Sequence, residues 1–173
     1  MSSSAQHVTP GKFEQRVAND LQSIGIPAVR VVRIENYGKS CPDVVQVSGG
    51  VDFDPSPLWS LVQQRKLGPL CVECKTRAHH RVPGYLVEAI KKGQSLERNL
   101  PSWIVEAVNQ AIGYDVPFWF VVVRKKRGLG KGAGAFDFVI CDRARGFKGI
   151  HWYNLVLMPY EVFIEQLREW WKQ

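Results

Sequence analysis

Residues 70–75 read Leu70-Cys71-Val72-Glu73-Cys74-Lys75. Alternate side chains of a strand share a face, so Glu73 and Lys75 project together while Val72 and Cys74 point the other way. Two charges on one face of an otherwise apolar strand are costly unless that face opens on a site. Upstream, Pro42-Asp43 stands at a loop-to-strand junction, where a carboxylate can reach the end of a neighbouring strand. Two carboxylates and a lysine meeting at a sheet edge can hold a hard divalent cation and poise a water. Mg²⁺ prefers oxygen ligands and keeps several waters, so one or two carboxylates and a phosphate oxygen satisfy it, and Mn²⁺ is expected to substitute. The metal would stabilise charge on phosphate and activate a bound water. Lys75 would orient that water or neutralise the transition state. Glu14, placed among Phe13 and Val17, is the candidate third carboxylate.

Outward from this strand, helical and extended patterns follow one another. Phe13, Val17, Leu21 and Ile24 recur at helical spacing until Gly25 and Pro27 stop the run. Residues 28–34 (AVRVVRI) and 44–47 read as strands, with loop residues at 36–42 and a turn at Gly49-Gly50. A short helix over 58–64 and another over 86–92 are expected. Trp103, Val105, Val108, Ala111 and Ile112 mark an amphipathic helix ending near Gly113. Residues 117–124 (PFWFVVVR) form the most apolar strand, expected to be buried on both faces. Strands over 135–141 and 150–157 precede a last helix that starts at Pro159 and runs to about Lys172. With no repeats and no second core, this order predicts one α/β domain over 11–173 with a mixed central sheet flanked by helices, behind a flexible arm at 1–10.

The chain has 173 residues, with 23 Lys and Arg against 16 Asp and Glu, a net charge of +7. Such an excess attracts polyanions, nucleic acid being the commonest. No run is long and apolar enough to span a bilayer. The N-terminus lacks the layout of a secretory signal. Cys41, Cys71, Cys74 and Cys141 are too irregularly spaced for a disulfide framework, so an intracellular, reduced protein is expected. Cys71 and Cys74 suggest zinc by spacing, but a strand sends them to opposite faces, and buried core thiols are the better reading.

Pro42-Asp43 followed by Glu73-Cys74-Lys75 matches the PD-(D/E)XK nuclease motif residue for residue. The order Gly11, Glu14, Arg30, Pro-Asp, Glu-Cys-Lys resembles that of archaeal-type Holliday junction resolvases. The resemblance implies a restriction-endonuclease-like core in which Glu14, Asp43 and Glu73 bind metal and Lys75 is catalytic. It also implies that Arg30 contacts backbone phosphate, that the protein is a homodimer, and that its substrate is a four-way DNA junction. Against that pattern, residues 49–69 and 78–101 read as insertions.

Further phosphate contacts are expected from Arg33, Lys39, Ser40, Arg77, Arg81 and the cluster Lys125, Lys126 and Arg127. That cluster heads a glycine-rich loop without the ending of a P-loop, and a solvated hairpin tip is its plainer reading. His79-His80 reads as a solvated loop, since adjacent residues rarely converge on one metal. Trp103 reads as core or dimer contact, and Trp170-Trp171 as an interface or a helix end folded back on the core. Gln110 and Tyr114 are similar in spacing to a Gln-x-x-x-Tyr element of some exonuclease branches of the superfamily. A restriction, repair or exonuclease member of the same superfamily, a non-catalytic nucleic-acid-binding module, and a general structural protein therefore stay open. The module has no need of carboxylates that repel phosphate, and a structural protein would leave the basic excess unexplained.

Overall fold

Phe13, Val17 and Leu21 fall on one stripe of a helix and are buried along it. That helix, α1, spans Pro10–Ser23. It ends where Gly25 takes a φ of 92° and Ile26 N–H closes back on the Leu21 carbonyl at 3.0 Å, a left-handed cap that glycine adopts without strain. The computed structural model describes residues 10–31, 41–48, 61–62, 66–75, 102–125, 136–152 and 154–173. After α1 come β1 (Ala28–Arg30), β2 (Val44–Val47) and β3 (Leu67–Lys75). Then follow α2 (Ser102–Gly113), β4 (Phe118–Lys125), β5 (Phe136–Asp142), a 3₁₀ turn (Arg143–Arg145), β6 (Ile150–Trp152), β7 (Leu155–Pro159) and α3 (Tyr160–Trp171).

The strands form one seven-stranded sheet in the order β1-β2-β3-β4-β5-β7-β6. Only β3 and β4 pair in parallel; the other described pairings are antiparallel. Parallel neighbours need a crossover, and α2 lies within that connection. Phe120 and Val122 of β4 enter the cluster with α1 and α3, whereas Val121 and Val123 pack with Ile104 and Ala107 of α2. The expected burial of β4 on both faces follows from this, and the architecture is the expected α/β sheet with helices on both sides.

Two strand boundaries differ from the sequence reading. β3 begins at Leu67 rather than Leu70, because a register shift against β2 between Val45 and Val47 absorbs Gly68 and Pro69. A bulge is where a strand tolerates a proline, which has no N–H to give the ladder. The single strand expected over 150–157 is two strands, β6 and β7, paired antiparallel with Ile150 opposite Leu157. The sequence marks this hairpin with Asn154, a single turn-forming residue between two apolar runs, too short a break to divide the strand in the reading. Pro159 closes β7 and caps α3, which starts at Tyr160. The expected turn at 49–50 and helix at 86–92 lie outside the described residues, as do most of the expected helix at 58–64 and the end of the first expected strand.

Trp170 packs on the core with its ring 4.7 Å from that of Phe118, so the end of α3 folds back on the sheet. A charged network crosses the same face. Asp137 accepts from Arg124 Nε at 3.0 Å and from Arg16 at 2.9 Å. Arg124 also stacks over the Phe13 ring at 5.1 Å, and Tyr160 donates to Asp20 at 2.9 Å.

All four thiols are free and buried, with Cys71 and Cys74 on opposite faces as alternation requires. Burial, helped by the charge of Glu73, raises the Cys71 thiol from 9.0 to about 12. Burial, helped by Asp142, does the same for Cys141. A raised thiol pKa keeps its proton in the fold while the unfolded chain ionises, so its stabilisation is whole below pH 9.0 and is lost as pH climbs toward 12. The two thiols together are expected to remove about 3 kcal/mol by pH 10, seen as a falling urea midpoint that stays level below pH 8.

Candidate active site

The site forms where β1 and β3 end and β2 begins. Val44 stands opposite Val72, and one step further along that register lies Asp43 beside Glu73. Asp43 is pinned from both sides: its N–H donates to the Val72 carbonyl at 3.1 Å, and its carbonyl accepts from Val31 N–H at 2.8 Å. Its carboxylate Oδ2 then accepts from Cys74 N–H at 2.7 Å, across the strand from Val72. Two backbone bonds and one side-chain bond thus fix a residue that is 0% exposed.

Glu73 is 3% exposed, on the α2 side of the sheet. Its Oε1 accepts from Lys75 Nζ at 2.6 Å, the short contact of a charge-assisted bond. Lys75 also approaches Glu106 Oε2 of α2 at 3.5 Å. Burial alone pulls the Lys75 pKa down, but the hydrogen bond and charge of Glu73, with Glu106 and Asp43 behind, outweigh it and raise the value. Lys75 is therefore an ammonium throughout the neutral range.

Glu14 is 7% exposed and faces β1 from α1. Its Oε2 accepts from Arg30 Nε at 2.8 Å. Gly11 makes room for this pair: a Cβ there would stand 2.7 Å from the Arg30 guanidinium. The sequence order Gly11, Glu14, Arg30 is thus one local contact. Among the described residues, no three His, Cys, Asp or Glu side chains form a group that could hold a metal ion. Asp43 and Glu73 are nonetheless the kind of hard oxygen donors that could hold Mg²⁺.

Of the expected phosphate contacts, Arg30 sits at the rim with its side chain 38% exposed. Lys125 ends β4, the parallel neighbour of β3, and Lys75 is opposite Val123 two residues before it. Arg33, Lys39, Ser40, Arg77, Arg81, Lys126 and Arg127 lie outside the described residues, as do His79 and His80 and the side chain of Trp103. Glu106 was missed by sequence reasoning. Its signal was available: it is the one charged residue in 102–113 (SWIVEAVNQAIG). Among the described residues no helix is long and apolar enough to cross a membrane.

No family model matches the sequence. No curated protein matches it either. Among solved structures, the chain is similar to Hjc, a Holliday junction resolvase from the archaeal hyperthermophile Archaeoglobus fulgidus. The identity is 16% over 91% of this chain and 98% of that one, with a TM-score of 0.39.

Proposed function

We propose that this protein is a metal-dependent DNA endonuclease that hydrolyses phosphodiester bonds at four-way junctions as a homodimer. One observation carries the reading: two buried carboxylates, Asp43 and Glu73, share the end of the central sheet with the Lys75 ammonium. Burying such groups is costly, and a fold keeps them together where chemistry needs them. Asp43 and Glu73 would hold Mg²⁺ or Mn²⁺, and Glu14 would serve beside them through Arg30. The ion would polarise the phosphate and activate a water. Lys75 would orient the attacking water or neutralise the negative charge that builds on the phosphate. Arg30, held at the rim by Glu14, turns to backbone phosphate, and the basic excess of the chain draws the polyanion in.

The junction assignment follows the order Gly11, Glu14, Arg30, Pro42-Asp43, Glu73-Cys74-Lys75, which resembles that of the archaeal-type resolvases. A second reading, a superfamily exonuclease, is favoured by Gln110: this residue is buried on the helix that carries Glu106, one turn before Tyr114. End-labelled four-way junction, linear duplex and single strand, each with Mg²⁺, separate the two. Paired nicks at symmetric junction positions, with duplex left whole, are expected. Stepwise shortening of linear ends would replace the junction reading with the exonuclease one.

A further inference from the structure

Lys75 has two carboxylates in reach, and they differ in kind. Glu73 is almost wholly buried and takes the ammonium at 2.6 Å, whereas Glu106 has a side chain 48% exposed and stands 3.5 Å away. An ammonium has three N–H donors on one nitrogen, so it can turn from one acceptor to the other without moving its stem. The arrangement holds a conflict. Lys75 holds only Oε1 of Glu73, so a divalent ion would take the carboxylate through Oε2, and the two cations sharing one carboxylate would repel each other. That repulsion would loosen the hold of Glu73 on Lys75, with Glu106 the next carboxylate in reach.

We propose that Glu106 is a positioning residue that receives the Lys75 ammonium when a divalent cation claims the Glu73 carboxylate. Its placement fits the task. Ile104, Ala107 and Ala111 fasten α2 to the sheet, so the Glu106 backbone is fixed while its half-exposed side chain can close the remaining gap. Glu106 is also the one charged residue of that helix. The hand-over keeps Lys75 beside the site, facing the phosphate, instead of letting it swing into solvent. The inference rests on the metal-site reading above and adds to it a residue that acts through Lys75.

The test is a double-mutant cycle read by Mn²⁺ binding to metal-free protein, with free Mn²⁺ followed by electron paramagnetic resonance. Ala is the best helix former, so Glu106→Ala at this half-exposed position is expected to fold normally. It should raise the Mn²⁺ dissociation constant about fivefold, the scale of a partly exposed ion pair. In a Lys75→Met background, where Glu73 has no ammonium to shed, the same substitution should change nothing, and Glu106→Gln should give an intermediate loss. An equal loss in both backgrounds would mean that Glu106 acts on the ion itself, and no loss in either would make the contact an idle surface pair; each overturns the proposal. Wild-type Mn²⁺ binding and cleavage beside a silent Glu106→Ala removes this inference alone. Failure of the wild type to bind Mn²⁺ or cut DNA removes the nuclease reading and this one with it.

Discussion

Lys75→Met is expected to lower the single-turnover rate of DNA cleavage about a thousandfold, the loss typical of removing a charge aimed at a developing anion. The same change should destabilise the fold. It strips the Glu73 carboxylate, whose side chain is 2% exposed, of its counter-charge at 2.6 Å. Breaking a buried pair from one side costs about 3 kcal/mol, because the remaining charge is desolvated without compensation. Adding Glu73→Gln removes that charge as well, so the double variant should regain most of its urea midpoint and none of its activity. Recovery of both, or of neither, would show that the pair is not what holds stability and function apart.

The second large effect lies away from the chemistry. Asp137 has an 8% exposed side chain and joins Arg124 and Arg16, two cations contributed by β4 and α1. Asp137→Ala leaves the Arg124 guanidinium, 14% exposed, facing Phe13 with no anion at its side. The expected loss is about 3 kcal/mol. For a chain of this length that corresponds to a melting temperature lower by roughly 10 °C. Because the network binds α1 to the sheet rather than touching the Asp43 carboxylate, the cleavage rate per folded molecule should stay within about twofold of wild type. A melting temperature unchanged in calorimetry would mean that solvent already screens the network.

Much of this was legible in the residues. Strand alternation alone put Glu73 with Lys75 and sent Cys71 and Cys74 to opposite faces, since a two-residue period leaves no freedom once the strand is assigned. The helical stripe of Phe13, Val17 and Leu21 and the apolar run at 118–123 likewise gave their elements and their burial. Strand register was harder to read. Gly68 and Pro69 look like loop until the bulge against β2 is known, and the hairpin between Trp152 and Leu155 is marked by Asn154 alone. Contacts between distant elements were invisible as well. Nothing in a single chain reading tells that Glu106 of α2 stands over Lys75, or that Arg16 and Arg124 share Asp137, because each depends on how a helix sits on the sheet. Gly11 shows the intermediate case. Its place in the motif order was seen, and its reason, clearance for the Arg30 guanidinium, appears only in three dimensions.

Cleavage of a synthetic four-way junction by the wild type and by Asp43→Asn, with Mg²⁺ and then with chelator, tests the central claim most directly. Asparagine keeps an oxygen for the Cys74 N–H, so the bond that positions residue 43 at 2.7 Å is expected to survive while its charge is lost. The account predicts that the wild type nicks the junction only with the metal, that Asp43→Asn binds the junction but does not cut it, and that both unfold at similar urea concentrations. Cutting by Asp43→Asn at the wild-type rate, or by the wild type in chelator, would contradict it.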